Sequence, residues 1–95
     1  MTVSKYFRAC THGISQEEIA ELAADKDWSV RLRISYRHDV SADILTILAQ
    51  DSDGDVQRHV GKNPNTPLWV KLWLTSGYRE SMPLKEFLEV SGGET

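Results

Sequence analysis

A single cysteine, Cys10, stands among the 95 residues. That excludes an intrachain disulfide and any zinc or iron–sulfur site built from cysteines. No apolar run approaches the roughly 18–20 residues that a membrane span needs, and no signal-peptide pattern opens the chain. A cytoplasmic protein without membrane contact is therefore expected. A basic excess is also missing: fourteen acidic side chains face eleven basic ones, for a formal charge of −3, which argues against a general nucleic-acid binder. Nor does any acid–base pair or nucleophile constellation emerge. The expectation is a non-enzymatic protein with no cofactor and no bound metal. The length suits one domain with one core, and a composition 40% hydrophobic and 26% charged is that of a folded, soluble chain.

What the chain does hold is an internal repeat. Shifted by 26 positions, Ile14-Ser15-Gln16-Glu17-Glu18-Ile19-Ala20-Glu21-Leu22-Ala23-Ala24-Asp25 meets Val40-Ser41-Ala42-Asp43-Ile44-Leu45-Thr46-Ile47-Leu48-Ala49-Gln50-Asp51. The same shift aligns Asp27 with Asp53, Val30 with Val56 and Ile34 with Val60, and a second shift reaches Thr66-Pro67-Leu68-Trp69-Val70. Val3 and Phe7 take the places of Val30 and Ile34, with one extra residue in the loop that follows. Each unit reads as two short helices. Ser15 with Glu18 three residues on is a capping box, Ser41 repeats the cap, and Thr66-Pro67 gives a cap followed by proline at the first helical position. The second helices start after Asp27 and Asp53, with core faces at Val30/Ile34 and Val56/Val60. Gly54 is expected to relax the turn before the last of these. One unit cannot bury its apolar stripe alone, whereas stacked neighbours can. The expected fold is all-α: a short right-handed solenoid of about three two-helix repeats over residues 1–90, with joints near 13–14, 39–40 and 65–66. Gly77 is expected to close the third first-type helix. A capping helix over 81–90 offers Leu84, Phe87, Leu88 and Val90, and 91–95 form a disordered tail.

The stretch from Leu48-Ala49-Gln50-Asp51 through Val56-Gln57-Arg58 to Asn63-Pro64-Asn65-Thr66-Pro67 resembles the leucine-rich repeat variant family, which is related in shape to HEAT-type helical repeats. Leu22-Ala23-Ala24-Asp25 and Val30-Arg31 match the first half of the motif, but Arg37-His38-Asp39-Val40-Ser41 replaces its proline-rich ending. The likeness covers about residues 3–77. It implies stacked helix pairs, one helix of each pair short or of the 3₁₀ kind. The cysteines with which some family members bind an iron–sulfur cluster are absent. A fold implied in this way does not imply a function.

Charge is segregated along the chain. Segments 3–12, 28–38 and 56–63 hold Lys5, Arg8, Arg31, Arg33, Arg37, Arg58 and Lys62 and all three histidines, but no acid. In stacked repeats this becomes a basic ridge beside an acidic one. Three readings follow: mutual pairing of the ridges and their helix dipoles, docking of carboxylates or phosphates on the arginines, and imitation of a nucleic-acid backbone by the acidic ridge. The expected function is protein–protein interaction, as an adaptor or inhibitor. Its binding residues would be Arg31, Arg33, Tyr36, Arg37, Arg58, Lys62 and Trp69, its partner a protein with an acidic surface, and its own state a monomer or weak dimer. Weak, sequence-blind nucleic-acid binding on the same ridge is the alternative.

Other residues are expected to be structural. His12, His38 and His59 lack a completing carboxylate or thiol for a metal. Cys10 near His12 lacks an orienting third group and reads as a small packed cysteine. Asp51-Ser52-Asp53-Gly54-Asp55 lacks the glutamate that would finish a calcium loop. Trp73 is expected in the core, Trp28 between repeats, and Trp69 on a different, exposed face.

Overall fold

Short polar residues start most of the helices, because each can take a backbone donor that the first turn leaves free. The computed structural model describes residues 4–76 and 81–91. Among them are seven helices and no strand: α1 Lys5–Ala9, α2 Gln16–Ala23, α3 Trp28–Ser35, α4 Ala42–Leu48, α5 Gly54–Lys62, α6 Leu68–Thr75 and α7 Leu84–Ser91. Ser4, Ser15 and Ser41 accept from the backbone N–H three residues on, and Asp27 and Asp53 accept from the N–H two residues on. Val3, Gly77 and the tail from residue 92, all named above, lie outside the described residues.

Three local expectations need correction. Glu18 does not complete the capping box; both its oxygens are taken by Arg8 of α1, at 2.7 and 2.6 Å. Thr66 does not cap α6. It is buried and its hydroxyl donates to the Val60 carbonyl at 2.6 Å, leaving Pro67 at the cap position with no side-chain bond. Gly54 opens α5 as its first residue, and among the described residues the glycine with a positive φ is Gly13, at +79°.

Helix α3 packs against α1, α2 and α5; α5 packs against α4 and α6, and α6 against α7. The molecule is elongated, 49 × 23 × 18 Å. Ile19, Leu22, Val30, Ile34, Leu45, Leu48, Val56, Val60, Val70, Trp73 and Leu84 form one continuous buried core. Each large side chain so buried is worth about 1.5–3 kcal/mol. Phe7, expected beside Ile34 in register, is instead 63% exposed, and Ala9 makes the buried contact of α1. Trp28 is 49% exposed rather than packed between units. Both aromatics sit two residues from their helix's buried position (Ala9 and Val30), which at 3.6 residues per turn is more than half-way round. Cys10, at the cap of α1, is exposed and not packed. Leu84 and Phe87 cover the end of the core, whereas Val90 faces solvent. Trp73 anchors that cover by donating Nε1–H to the Met82 carbonyl at 2.8 Å.

The bends are tied by side chains. Asp25 accepts from the Asp27 N–H, and Asp51 from the Asp53 N–H, both at 2.9 Å. Asn63, almost fully buried, donates Nδ2–H to the carbonyls of Ser35 and Arg37 at 3.0 and 2.8 Å, closing the end of α3. Arg37 does the same for α1: its Nη1 donates to the carbonyls of Ala9 and Thr11 at 2.9 and 2.8 Å. Arginine thus takes over the asparagine's work at the joint where the proline-rich ending is missing.

Candidate functional site

Arg33 on α3 is half-buried, and the positions in register with it are Tyr6 on α1 and His59 on α5. Tyr36, three residues on from Arg33, comes onto the same face at the end of α3. The four side chains touch in a row. The Arg33 guanidinium carbon lies 4.9 Å from the centre of the Tyr36 ring and 6.0 Å from that of Tyr6. Tyr36 then meets the His59 ring with centroids 4.3 Å apart and planes tilted by 51°. His59 is oriented by its Nδ1–H, which donates to the Asp55 carbonyl at 2.9 Å. Cation–π contacts of this kind contribute about 0.5–1 kcal/mol at exposed sites, so the rings hold the guanidinium without neutralising it. Tyr6 and Tyr36 remain half exposed.

Carboxylates take up most of the other basic residues on these helices. Lys5 pairs with Asp25 at 3.1 Å and Arg8 with Glu18 at 2.6 Å. Arg31 holds Asp51 with two bonds, at 2.6 and 3.1 Å, and also donates to the Asp25 carbonyl. Arg37 holds Asp39 with two bonds of 2.7 Å, and Arg58 pairs with Asp55. These contacts have the expected electrostatic effects. Hydrogen bonds from the Arg8 and Arg37 guanidinium groups hold the Glu18 and Asp39 carboxyls below their usual range. For Asp25 the largest cause is the Asp27 backbone N–H, followed by Lys5. The Arg31 guanidinium is pushed up by its bond to Asp51. Among the described residues no carboxylate pairs with Arg33 or Lys62, and the buried Nε of Arg33 has no hydrogen-bond partner.

The seven candidates named from the sequence therefore divide. Arg33 and Tyr36 lie together in the row, while Arg58 and exposed Lys62 lie on α5, the helix that carries His59. Arg31 and Arg37 have side chains only 15% and 9% exposed, bound into the joints. Trp69, 36% exposed, stands beside exposed Leu68 and Leu72 on α6, which packs against α5 but contributes no side chain to the row. Tyr6 and His59 were not among the candidates. The signal for them was their register with Arg33, which charge alone does not reveal. Behind the row lies a concavity of about 580 Å³, lined by Cys10, His12, Arg33, Tyr36 and His38 together with the Arg37–Asp39 pair. His12 and His38 thus share a hollow, yet among the described residues no group of three or more His, Cys, Asp or Glu side chains is placed to hold a metal. Nor is any helix there long and apolar enough to cross a membrane. No family model, curated protein or solved structure matches the chain.

Proposed function

We propose that the chain is a cytoplasmic, non-enzymatic protein-binding module, built as a short right-handed α-solenoid of about three two-helix repeats of the leucine-rich repeat variant kind. The recurrence of caps and bends supports the repeat. Asp25/Asp27 and Asp51/Asp53 make the same bonds 26 positions apart, as do Lys5–Asp25 and Arg31–Asp51. The contacts of α3 with both α1 and α5, in an elongated molecule, agree with stacking.

The row of Tyr6, Arg33, Tyr36 and His59 carries the functional reading. Tyrosine and arginine are the residue types that dominate binding hot spots, because they bring large area or a rigid donor fork at low entropic cost. Here the tyrosines are half exposed and in contact with a half-buried arginine, in front of a hollow. The partner is a protein with an acidic surface, since Arg33 and Lys62 are the cations of these helices left without a carboxylate. Two such cations are few for nucleic acid, whose affinity grows with each phosphate neutralised.

The test is capture from source-cell lysate, with and without nuclease, by wild-type protein and by a Tyr6→Ala/Arg33→Glu variant. Helix content by circular dichroism checks that the variant is folded. A discrete protein retained after nuclease and lost with the variant supports the reading. Recovery of nucleic acid that leaves at moderate salt replaces it with the alternative. Equal capture by both proteins refutes the row.

A further inference from the structure

We propose that the hollow between the exits of α1 and α3 receives one carboxylate of an acidic peptide, gripped by Arg33 and flanked by the imidazoles of His12 and His38. The assignment rests on the protein-binding reading and names the group that the partner inserts.

The charge balance of the hollow selects the ligand. Arg37 is consumed: Nε and Nη2 hold Asp39, and Nη1 holds two main-chain carbonyls. Its charge is cancelled by Asp39, so the lining keeps one uncompensated cation, Arg33, with two histidines beside it. One guanidinium matches one carboxylate in charge and in its two-pronged geometry. A phosphate dianion would leave a negative charge over.

Arg33 is also prepared for such a ligand. The Tyr36 ring, 4.9 Å from the guanidinium carbon, supports it. Its Nε is shielded from water without an acceptor, a condition that buried donors rarely tolerate. A small turn of the guanidinium toward an incoming carboxylate gives Nε and one Nη an acceptor each, which no carboxylate of the described residues provides. His12 and His38 are exposed and add N–H donors. About 580 Å³ exceeds the volume of one side chain, so a short peptide segment enters rather than a lone ion.

The test uses the full chain labelled with ¹⁵N and titrated with acetyl-Gly-Glu-Gly-amide, against acetyl-Gly-Gln-Gly-amide as the neutral control. A third probe, acetyl-Gly-Gly-Gly with a free terminal carboxylate, separates a side-chain source from a chain end. We expect saturable shifts at Cys10, His12, Arg33, Tyr36 and His38, including the Arg33 Nε–H signal, with dissociation constants on the order of millimolar. Glutamine should produce none of them. Arg33→Gln should weaken binding about tenfold or more, and Arg33→Lys, which keeps the charge but not the fork, should weaken it also. Identical responses to the glutamate and glutamine probes would overturn the assignment, as would undiminished shifts in both Arg33 variants. Tighter binding of a phosphoserine analogue than of either carboxylate probe would replace the carboxylate by phosphate. If the probes fail while lysate capture still depends on Tyr6 and Arg33, the protein-binding surface stands and this inference alone falls.

Discussion

Replacing Asn63 tests how the helices are held to one another. Its Nδ2 group supplies both bonds that close α3, to Ser35 and Arg37, and its Oδ1 accepts from the Asn65 N–H at 2.8 Å. The residue is only 4% exposed. Asn63→Ala leaves two carbonyls without these donors, and each orphaned group costs about 1–3 kcal/mol, less where water enters. The expected loss is about 2–4 kcal/mol, read as the shift in urea midpoint at unchanged slope. In melting temperature that is on the order of 10–25 °C for a domain of this size. Asn63→Asp separates bonding from packing. It keeps the volume but sets a carboxylate against two carbonyl oxygens, so it should be less stable at pH 7 than the alanine variant. Burial among acceptors raises the pKa of the introduced carboxyl, so its destabilisation is present above that pKa and eases as pH falls through it and a donor returns. An aspartate variant as stable as the alanine variant at pH 7 would refute the reasoning, since packing alone predicts that order.

Three further outcomes follow from local chemistry. Gly13→Ala should destabilise by about 1 kcal/mol because φ is +79° there, whereas Gly54→Ala, at an ordinary φ with open space around it, should stabilise by about 0.5 kcal/mol; thermal melts of the two should move in opposite directions. A double-mutant cycle on Arg31 and Asp51, 15% and 7% exposed, should give a coupling of about 1–3 kcal/mol, and the same cycle on exposed Arg58 and Asp55 under about 0.5 kcal/mol. Equal couplings would be incompatible with that ranking. Glu18, Asp25 and Asp39 all have pKa values lowered by folding. Their contribution is therefore full above the ordinary carboxylate range and lost as pH falls through the folded values, so the urea midpoint should be level near neutrality and decline below about pH 4. A midpoint unchanged down to pH 3 would contradict it.

Local chemistry was legible in the sequence; partnership across distance was not. Ser15, Ser41, Asp27 and Asp53 were readable as caps because a cap bonds to donors two or three residues away. The apolar spacing gave the buried faces of α3 and α5 for the same reason. Thr66 and Glu18 misled because each bonds elsewhere, Thr66 to Val60 and Glu18 to Arg8, and neither partner is implied by the local pattern. Charge segregation was visible too, but the use of the charges was not. Arg31 and Arg37 look like surface arginines until Asp51 and the carbonyls of α1 come within reach. Two aromatics taken for packing residues, Phe7 and Trp28, lie on the far side of short helices whose inward faces are set by Ala9 on α1 and by Val30, Ile34 and Ser35 on α3.

The bonds made by Arg37 and Asn63 give the chain a direction. Each helix of the α1–α3 series is completed by a residue 26 or 28 positions downstream, so no unit is finished when its own last residue leaves the ribosome. It waits for the next. A shortened chain cut before residue 63 leaves α3 with open carbonyls, whereas one cut from the amino end takes Lys5 and Arg8 from Asp25 and Glu18 but opens no carbonyl of α3. Fraying and proteolysis should therefore work backward from the carboxyl side.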